Sequence, residues 1–398
     1  MATAPIVSRI SDYFDPSTGV TRHANGDAGD AGGMTDYSDD RWTAKFSGDG
    51  RFVMFMSTAD NIVWERFGQV DTGEPFQMAD LFVHVVDSGY NHALTWDVAP
   101  VQLPGSSPYA PSFAGGAINP VGSYGPEGSG YVLVAVATDS QGRTVVGGPG
   151  PGPINLSDGS YDIGYFLMGV SASAIPGAPT MVQARSSEMR LVGSGENANG
   201  VMAFSGDGQH LAYVSVHISG DELRISNTDN NRARLGASQE LLQANGFIYR
   251  VSVSHDGNLI AFDSTATLFD LDGDQLFEVK FGDTDGYSNV FVFDRAAGTL
   301  TKVTHDSELS QAGPQGGYVG TFVPDPKGTG VPQLSVVSIA DPATQDPLPF
   351  SQAMLYTLSG GAWSGEIVSV TAAGDPGGFT IGSVDATAAA PTGTPWVG

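Results

Sequence analysis

The chain has 398 residues, with 43 acidic side chains against 17 basic ones and a net charge of −26. Within those totals are 33 Asp to 10 Glu and 13 Arg to 4 Lys; Gly occurs 54 times and Cys not at all. Such a balance excludes binding nucleic acid by bulk charge, which needs Lys and Arg against phosphate. It also excludes disulfides and thiolate metal sites, and it holds too little Glu and Lys and too much Gly for a helical bundle.

With 40% apolar residues the chain can build a real core. Its longer apolar runs, such as Tyr131–Ala137, are strand-sized and far below the length needed to cross a bilayer. The first residues carry no basic region followed by an apolar core, so no N-terminal secretory signal is visible. Cys-free, Lys-poor, Asp-rich composition fits a protein at the cell surface or outside the cell, with the periplasm as the alternative.

The predicted elements follow in chain order. Pro5–Ser11 (PIVSRIS) reads as a strand like Gly365–Thr371 (GEIVSVT), and could close a ring by completing the last unit. Lys45–Ala59 (KFSGDGRFVMFMSTA) is a strand, a Ser-x-Asp-Gly turn and a second strand. Asp-Gly signals a type I′ hairpin turn, with positive φ at both central residues. The flanks alternate with period two, as half-buried strands do. Asp80–Asp97 is a second hairpin turning near Asp87–Asn91. Ala117–Ala137 is a weaker copy of the first phrase, and Tyr161–Ala184 a looser outer hairpin.

Ala203–Val216 (AFSGDGQHLAYVSV) and Val251–Ala266 (VSVSHDGNLIAFDSTA) repeat the Ser-x-Asp-Gly phrase. Between them Glu222–Gly246 fits no repeat; within it Ser238–Ala244 (SQELLQA) predicts a short helix capped by Ser238. Ser288–Thr304 (SNVFVFDRAAGTLTKVT) is another outer hairpin. Val319–Ile339 is a degenerate first hairpin, and Gln352–Thr371 turns at Gly360-Gly361. The tail holds one candidate strand, Phe379–Val384, before an Ala/Pro/Thr-rich end.

Two hairpins per unit, repeated, predict an all-β fold: a β-propeller of four-stranded antiparallel blades. Five blades are read directly. A sixth would need the tail, the N-terminus or Glu222–Gly246. The expected division is a propeller over 1–371 and a tail over 372–398.

Ser47–Val63 and Gly282–Thr304 resemble the TolB-type, WD-like β-propeller repeat of bacteria. In that repeat a Ser-x-Asp-Gly hairpin forms the two inner strands, and a hairpin like Asn289–Gly298 the two outer ones. The resemblance covers about half the chain. It implies a propeller and a periplasmic or extracellular placement, and no particular activity.

No P-loop, dinucleotide fingerprint, Gly-x-Ser-x-Gly elbow or His-Glu-x-x-His occurs. The seven His (His23, His84, His92, His210, His217, His255, His305) show no ligand spacing and read as surface or satisfied strand residues. No catalytic residue is assigned. The Asp of each Asp-Gly turn (Asp49, Asp207, Asp256) reads as structural, bonding its own turn amides. Trp64, Trp96, Trp363 and Trp396, near turns and ends, leave glycan stacking open.

The strongest chemical signal is carboxylate clustering. Asp270, Asp272, Asp274 and Glu278 surround Gly273, and Asp283 and Asp285 follow. Dense acidic oxygens about a turning Gly suit a hard cation such as Ca²⁺. The spacing is not that of an EF-hand. Asp36, Asp39 and Asp40, and Asp221, Asp229 and Asn230, are weaker candidates.

These readings favour a non-enzymatic extracellular propeller, a binding or assembly module stabilised by Ca²⁺, with a protein partner or self-assembly and no nucleic acid or membrane insertion. One alternative is a polysaccharide lyase or glycoside hydrolase with its acid and base at the channel mouth, near Trp64–Met78 and Tyr287. The other is a TolB-like periplasmic adaptor.

Overall fold

A computed structural model describes residues 12–15, 20–23, 44–47, 50–57, 80–86, 90–93, 113–120, 132–138, 162–172, 180–184, 190–192, 197–229, 234–281, 288–304, 318–323, 330–340 and 347–368. Every regular element among them is a strand. β1 (Asp12–Asp15) and β2 (Val20–His23) form a separate two-stranded ribbon. The first blade is β3 (Lys45–Phe46), β4 (Phe52–Ser57), β5 (Asp80–Val85) and β6 (Tyr90–Ala93). The second is β7 (Phe113–Ile118), β8 (Val132–Thr138), β9 (Asp162–Ala172) and β10 (Thr180–Ala184), with β11 (Arg190–Leu191) also on β9.

The third blade is β12 (Ala198–Phe204), β13 (His210–His217), β14 (Gly220–Asp229) and β15 (Arg234–Ala244). The fourth starts with β16 (Ile248–Val253) and β17 (Leu259–Ser264). The chain then leaves it for a short hairpin, β18 (Leu268–Asp270) and β19 (Val279–Lys280), before returning for β20 (Asn289–Asp294) and β21 (Thr299–Lys302). The fifth is β22 (Tyr318–Val323), β23 (Gln333–Ala340), β24 (Pro347–Ser359) and β25 (Ala362–Ile367). All pairings are antiparallel, and the five sheets are arranged as a five-bladed propeller.

Packing between blades explains the apolar runs. A second strand lies between two neighbouring sheets, so both of its faces need apolar side chains. In β17, Ile260 and Phe262 join the cluster shared with the third blade, with Val214, Leu223 and Ile225. The alternate residues Leu259 and Ala261 join the cluster shared with the fifth, with Val336, Met354 and Tyr356. One strand thus ties three sheets. Full burial of a side chain like Phe262 is worth roughly 1.5–3 kcal/mol. The innermost strands approach closely enough to need glycine. A side chain on Gly115 in β7 (φ +154°) would overlap the carbonyl oxygen of Gly200 in β12.

The Ser-x-Asp-Gly phrase is a hairpin loop held by its own side chains. Ser205 N–H donates to His210 O at 2.8 Å, and Gly208 N–H to Ser205 O at 2.8 Å. Ser205 Oγ accepts from His210 N–H at 3.0 Å and donates to Asp207 Oδ1 at 2.6 Å, which also takes Gln209 N–H at 2.9 Å. Ser254, Asp256 and Asn258 repeat this pattern. Asp207 and Asp256 are therefore structural, as expected from the sequence. The turn type differs from expectation. Only the glycines have positive φ, +67° at Gly208 and +72° at Gly257. A longer loop, with a turn from Ser to Gly and the Gly left-handed, replaces the two-residue type I′ turn.

Adjacent loops are joined in series. Asn119 Nδ2 donates to Gly208 O at 2.8 Å, Asp207 N–H to His255 O at 2.8 Å, and Arg295 Nη1 to Gly257 O at 2.8 Å. The His210 ring lies over Gly257, where any side chain would overlap it.

Two expectations are corrected. Ser238–Ala244 is not a helix but the end of β15. Leu223 pairs with Leu242 while Arg224 pairs with Glu240, so Leu241 is the extra residue of a β-bulge. The bulge puts two adjacent buried leucines in a strand and imitates a helical spacing. Glu222–Gly246 is no source of a sixth blade either, since β14 and β15 are the outer hairpin of the third. Pro5–Ser11, residues 372–398 with Phe379–Val384, Asp49, Trp64–Met78 and Tyr287 lie outside the described residues.

Candidate metal centre

The candidate site hangs on the inserted hairpin. β18 pairs not with the fourth blade, to which its flanking strands belong, but with the outer strand of the third: Ala244 with Phe269 and Gln243 with Asp270. Asn245 Oδ1 accepts Thr267 N–H and Leu268 N–H, both at 3.0 Å, and fixes the entry. Phe269 is fully buried, with its ring 4.9 Å from Phe291, 5.9 Å from Phe281 and 6.0 Å from Phe262. This aromatic plug places the next residue, Asp270, at the seam between two blades.

Asp270 is buried, and its carboxylate organises the loop. Oδ1 accepts Asp272 N–H at 3.0 Å and Gly273 N–H at 2.8 Å; Oδ2 accepts Gln275 N–H at 2.6 Å. Gln275 takes φ +68°, the single non-glycine in the left-handed region among the described residues. Asp272 Oδ1 accepts Asp274 N–H at 3.2 Å, Asp274 Oδ1 accepts Leu276 N–H at 2.8 Å, and Glu278 Oε2 accepts Leu271 N–H at 3.4 Å.

Coiled this way, Asp270, Asp272, Asp274 and Glu278 each bring one carboxylate oxygen within 4.8 Å of the others. An all-oxygen, acidic donor set matches a hard cation of the calcium type and not a soft thiolate-seeking one. Asp272, Asp274 and Glu278 are exposed, so a cation could enter from solvent. Four of the six carboxylates singled out in the sequence are brought together; Asp283 and Asp285 lie outside the described residues.

The weaker candidates fare differently. Asp221 is 2% exposed, and its Oδ2 accepts Ile248 N–H at 2.8 Å. It thus ties the β13–β14 turn to the start of the fourth blade. Burial pushes its carboxyl up to about 6, with the Ile248 amide and His217 acting in the opposite sense. Asp229 pairs with Arg234 at the end of β14. Asn230, Asp36, Asp39 and Asp40 lie outside the described residues.

Of the histidines, His84 is buried with Nδ1 2.8 Å from Asn91 Oδ1, and His210 Nδ1 is 2.8 Å from Asn227 Oδ1. These are satisfied strand residues.

A polar network beside the loop was not picked out from sequence. Arg224 Nη1 meets Glu222 Oε2 at 2.7 Å and Glu240 Oε2 at 3.9 Å, and its Nε donates to Ser238 Oγ at 2.8 Å. Tyr213 Oη donates to the same hydroxyl at 2.6 Å, and His217 Nε2 is 3.4 Å from Glu222 Oε1. Burial raises the Glu240 carboxyl, and nearby Glu222 and Asp270 add to that while Arg224 opposes it. The available signal was the polar alternation Glu222, Arg224, Ser226 along β14.

No protein-family model and no curated protein matches the sequence. Among solved structures the chain is similar to TolB from Acinetobacter baumannii, at 11% identity and TM-score 0.38 over 83% of this chain and 54% of that one. It is similar to a structure of a nidogen/laminin complex at 9% identity and TM-score 0.38, covering 82% and 79%. It is also similar to an oligogalacturonate lyase in complex with manganese, at 14% identity and TM-score 0.37, covering 80% and 65%. The chain spans about half the length of the TolB chain it matches. These likenesses concern the fold alone.

Proposed function

We propose that this protein is a non-enzymatic β-propeller that works outside the cytoplasm as a binding or assembly module, with Ca²⁺ held by Asp270, Asp272, Asp274 and Glu278. The observation that carries the reading is the convergence of these four carboxylates on a hairpin that belongs to one blade by sequence and to another by pairing. Like charges this close repel one another in the metal-free chain. A divalent cation would turn that repulsion into cross-links within the loop and stiffen the hairpin that joins the third and fourth blades, a clasp in that sense. Extracellular calcium modules bind at roughly 10⁻⁴–10⁻³ M, which suits an acidic, Cys-free protein outside the cell. The clasp would hold the surface of those two blades in one shape for a partner or a second copy.

The test is titration of the full chain, first stripped with chelator, followed by calorimetry, thermal melting and sedimentation. Ca²⁺ should bind and raise the melting temperature, Mg²⁺ should do so less, and the doubly substituted Asp272→Asn/Asp274→Asn chain should respond to neither. No heat and no shift with Ca²⁺ would sink the cation reading. A strictly monomeric chain with and without Ca²⁺ would count against self-assembly.

A further inference from the structure

Beside the loop lies an open groove of about 620 Å³, lined from β15, the Leu271–Gly273 segment and the blade-four residues Asn258, Phe293, Arg295 and Ala296. A volume of this order is typical of small-ligand sites. Its polar side chains have unused hydrogen-bonding capacity. Among the described residues the Gln239 amide has no hydrogen-bond partner. Asn258 gives Nδ2 to Asp256 and keeps Oδ1. Arg295 gives Nη1 to Gly257 O, with the Asp256 carboxylate near enough to attract its guanidinium. Glu240 meets Arg224 only at 3.9 Å through Oε2 and keeps Oε1. Carboxylates, amides and a guanidinium therefore line one groove, with the apolar Leu271 among them.

We propose that this groove binds an oligosaccharide. A sugar hydroxyl is both donor and acceptor, so it suits a wall that offers carboxylate, amide and guanidinium groups together. A ligand of one charge would meet a like-charged group at either Glu240 or Arg295. An extended peptide would need a regular strand edge to pair with, and here β15 is interrupted by two bulges. The assignment rests on the reading of the chain as a binding module and names the class of ligand.

The test uses the full chain with Ca²⁺ present on a printed array of neutral and acidic di- to hexasaccharides, followed by calorimetry with each retained sugar. Gln239→Trp plugs the groove from an exposed strand position and leaves the acidic loop intact. It should weaken sugar binding at least about tenfold, or 1.4 kcal/mol, with an unchanged melting temperature. Arg295→Lys keeps a cation for Gly257 O but loses the planar fork, and should weaken binding similarly. Retention of no saccharide, or equal binding by Gln239→Trp, overturns the proposal. A chelator arm and Asp274→Asn, which does not line the groove, separate the two ideas. Sugar binding by a parent chain that shows no calcium response sinks only the calcium reading. A calcium response without sugar binding sinks only the groove.

Discussion

Two kinds of aspartate turn follow one another along the chain, one within the fourth blade and one on the hairpin that leaves it. In the loop from Ser254 to Leu259, Asp256 takes Ser254 Oγ at 2.7 Å, Asn258 N–H at 3.1 Å and Asn258 Nδ2 at 2.6 Å. In the loop after β18, Asp270 is equally well used, but it gathers Asp272, Asp274 and Glu278 around itself. In the first loop negative charge is spent on folding; in the second it is accumulated. Replacing a carboxylate by an amide should therefore have opposite consequences in the two loops.

The largest effect should come from the packing that sets the first loop against its neighbour. Gly257→Val forces a β-branched residue into a left-handed position under the His210 ring. It should cost about 3 kcal/mol or more, read by denaturant unfolding. A near-neutral result would show that the loops of the third and fourth blades are not locked.

Asp221 offers a comparably large effect of opposite sign. Its folded value of about 6 lies above the ordinary 3.8, so the fold keeps a proton that the unfolded chain has lost. Stability should fall as pH rises from 3.8 to about 6 and stay reduced above that. Asp221→Asn, which can still accept the Ile248 amide, should gain up to about 3 kcal/mol at neutral pH. A variant as pH-sensitive as the parent would reject this assignment.

Saturating the acidic loop with Ca²⁺, at a hundred times its dissociation constant, should add about 2.7 kcal/mol. Asp256→Asn should cost about 1 kcal/mol by disturbing a mostly exposed hydrogen-bonded turn. Burial alone would raise the Asp256 carboxyl, but its bonds to Ser254 and Asn258 hold it below the ordinary value. Its contribution should thus be present above pH 3.8 and lost as pH falls through the folded value. The smallest effect sharpens the contrast most: without metal, Asp274→Asn should melt at or slightly above the parent temperature. A clear drop would mean that Asp274, like Asp256, is spent on folding.

Much of this was legible in the residues. The Ser-x-Asp-Gly phrase marked the loops because Ser and Asp close them with their own side chains, a local interaction. YVLVAVA marked a strand by its length and apolar run, and Val132–Ala137 are buried in β8. What misled was also local. The bulge at Leu241 broke the alternation of β15, and a strand was read as a helix. The Asp-Gly dipeptide suggested a two-residue turn where the chain uses a longer one.

The sequence by itself determined most of the strand-turn-strand units and the run of carboxylates from Asp270 to Glu278. All of these follow from short-range rules of period two, turn chemistry and charge density. Only the tertiary structure decided that the hairpin carrying those carboxylates leaves its own blade to pair with β15. It alone brought Gln239, Asn258 and Arg295 to one groove beside them. Pairing between β15 and β18 joins residues separated by a whole inner hairpin, and no periodicity along the chain records which sheet edge is free to receive a strand.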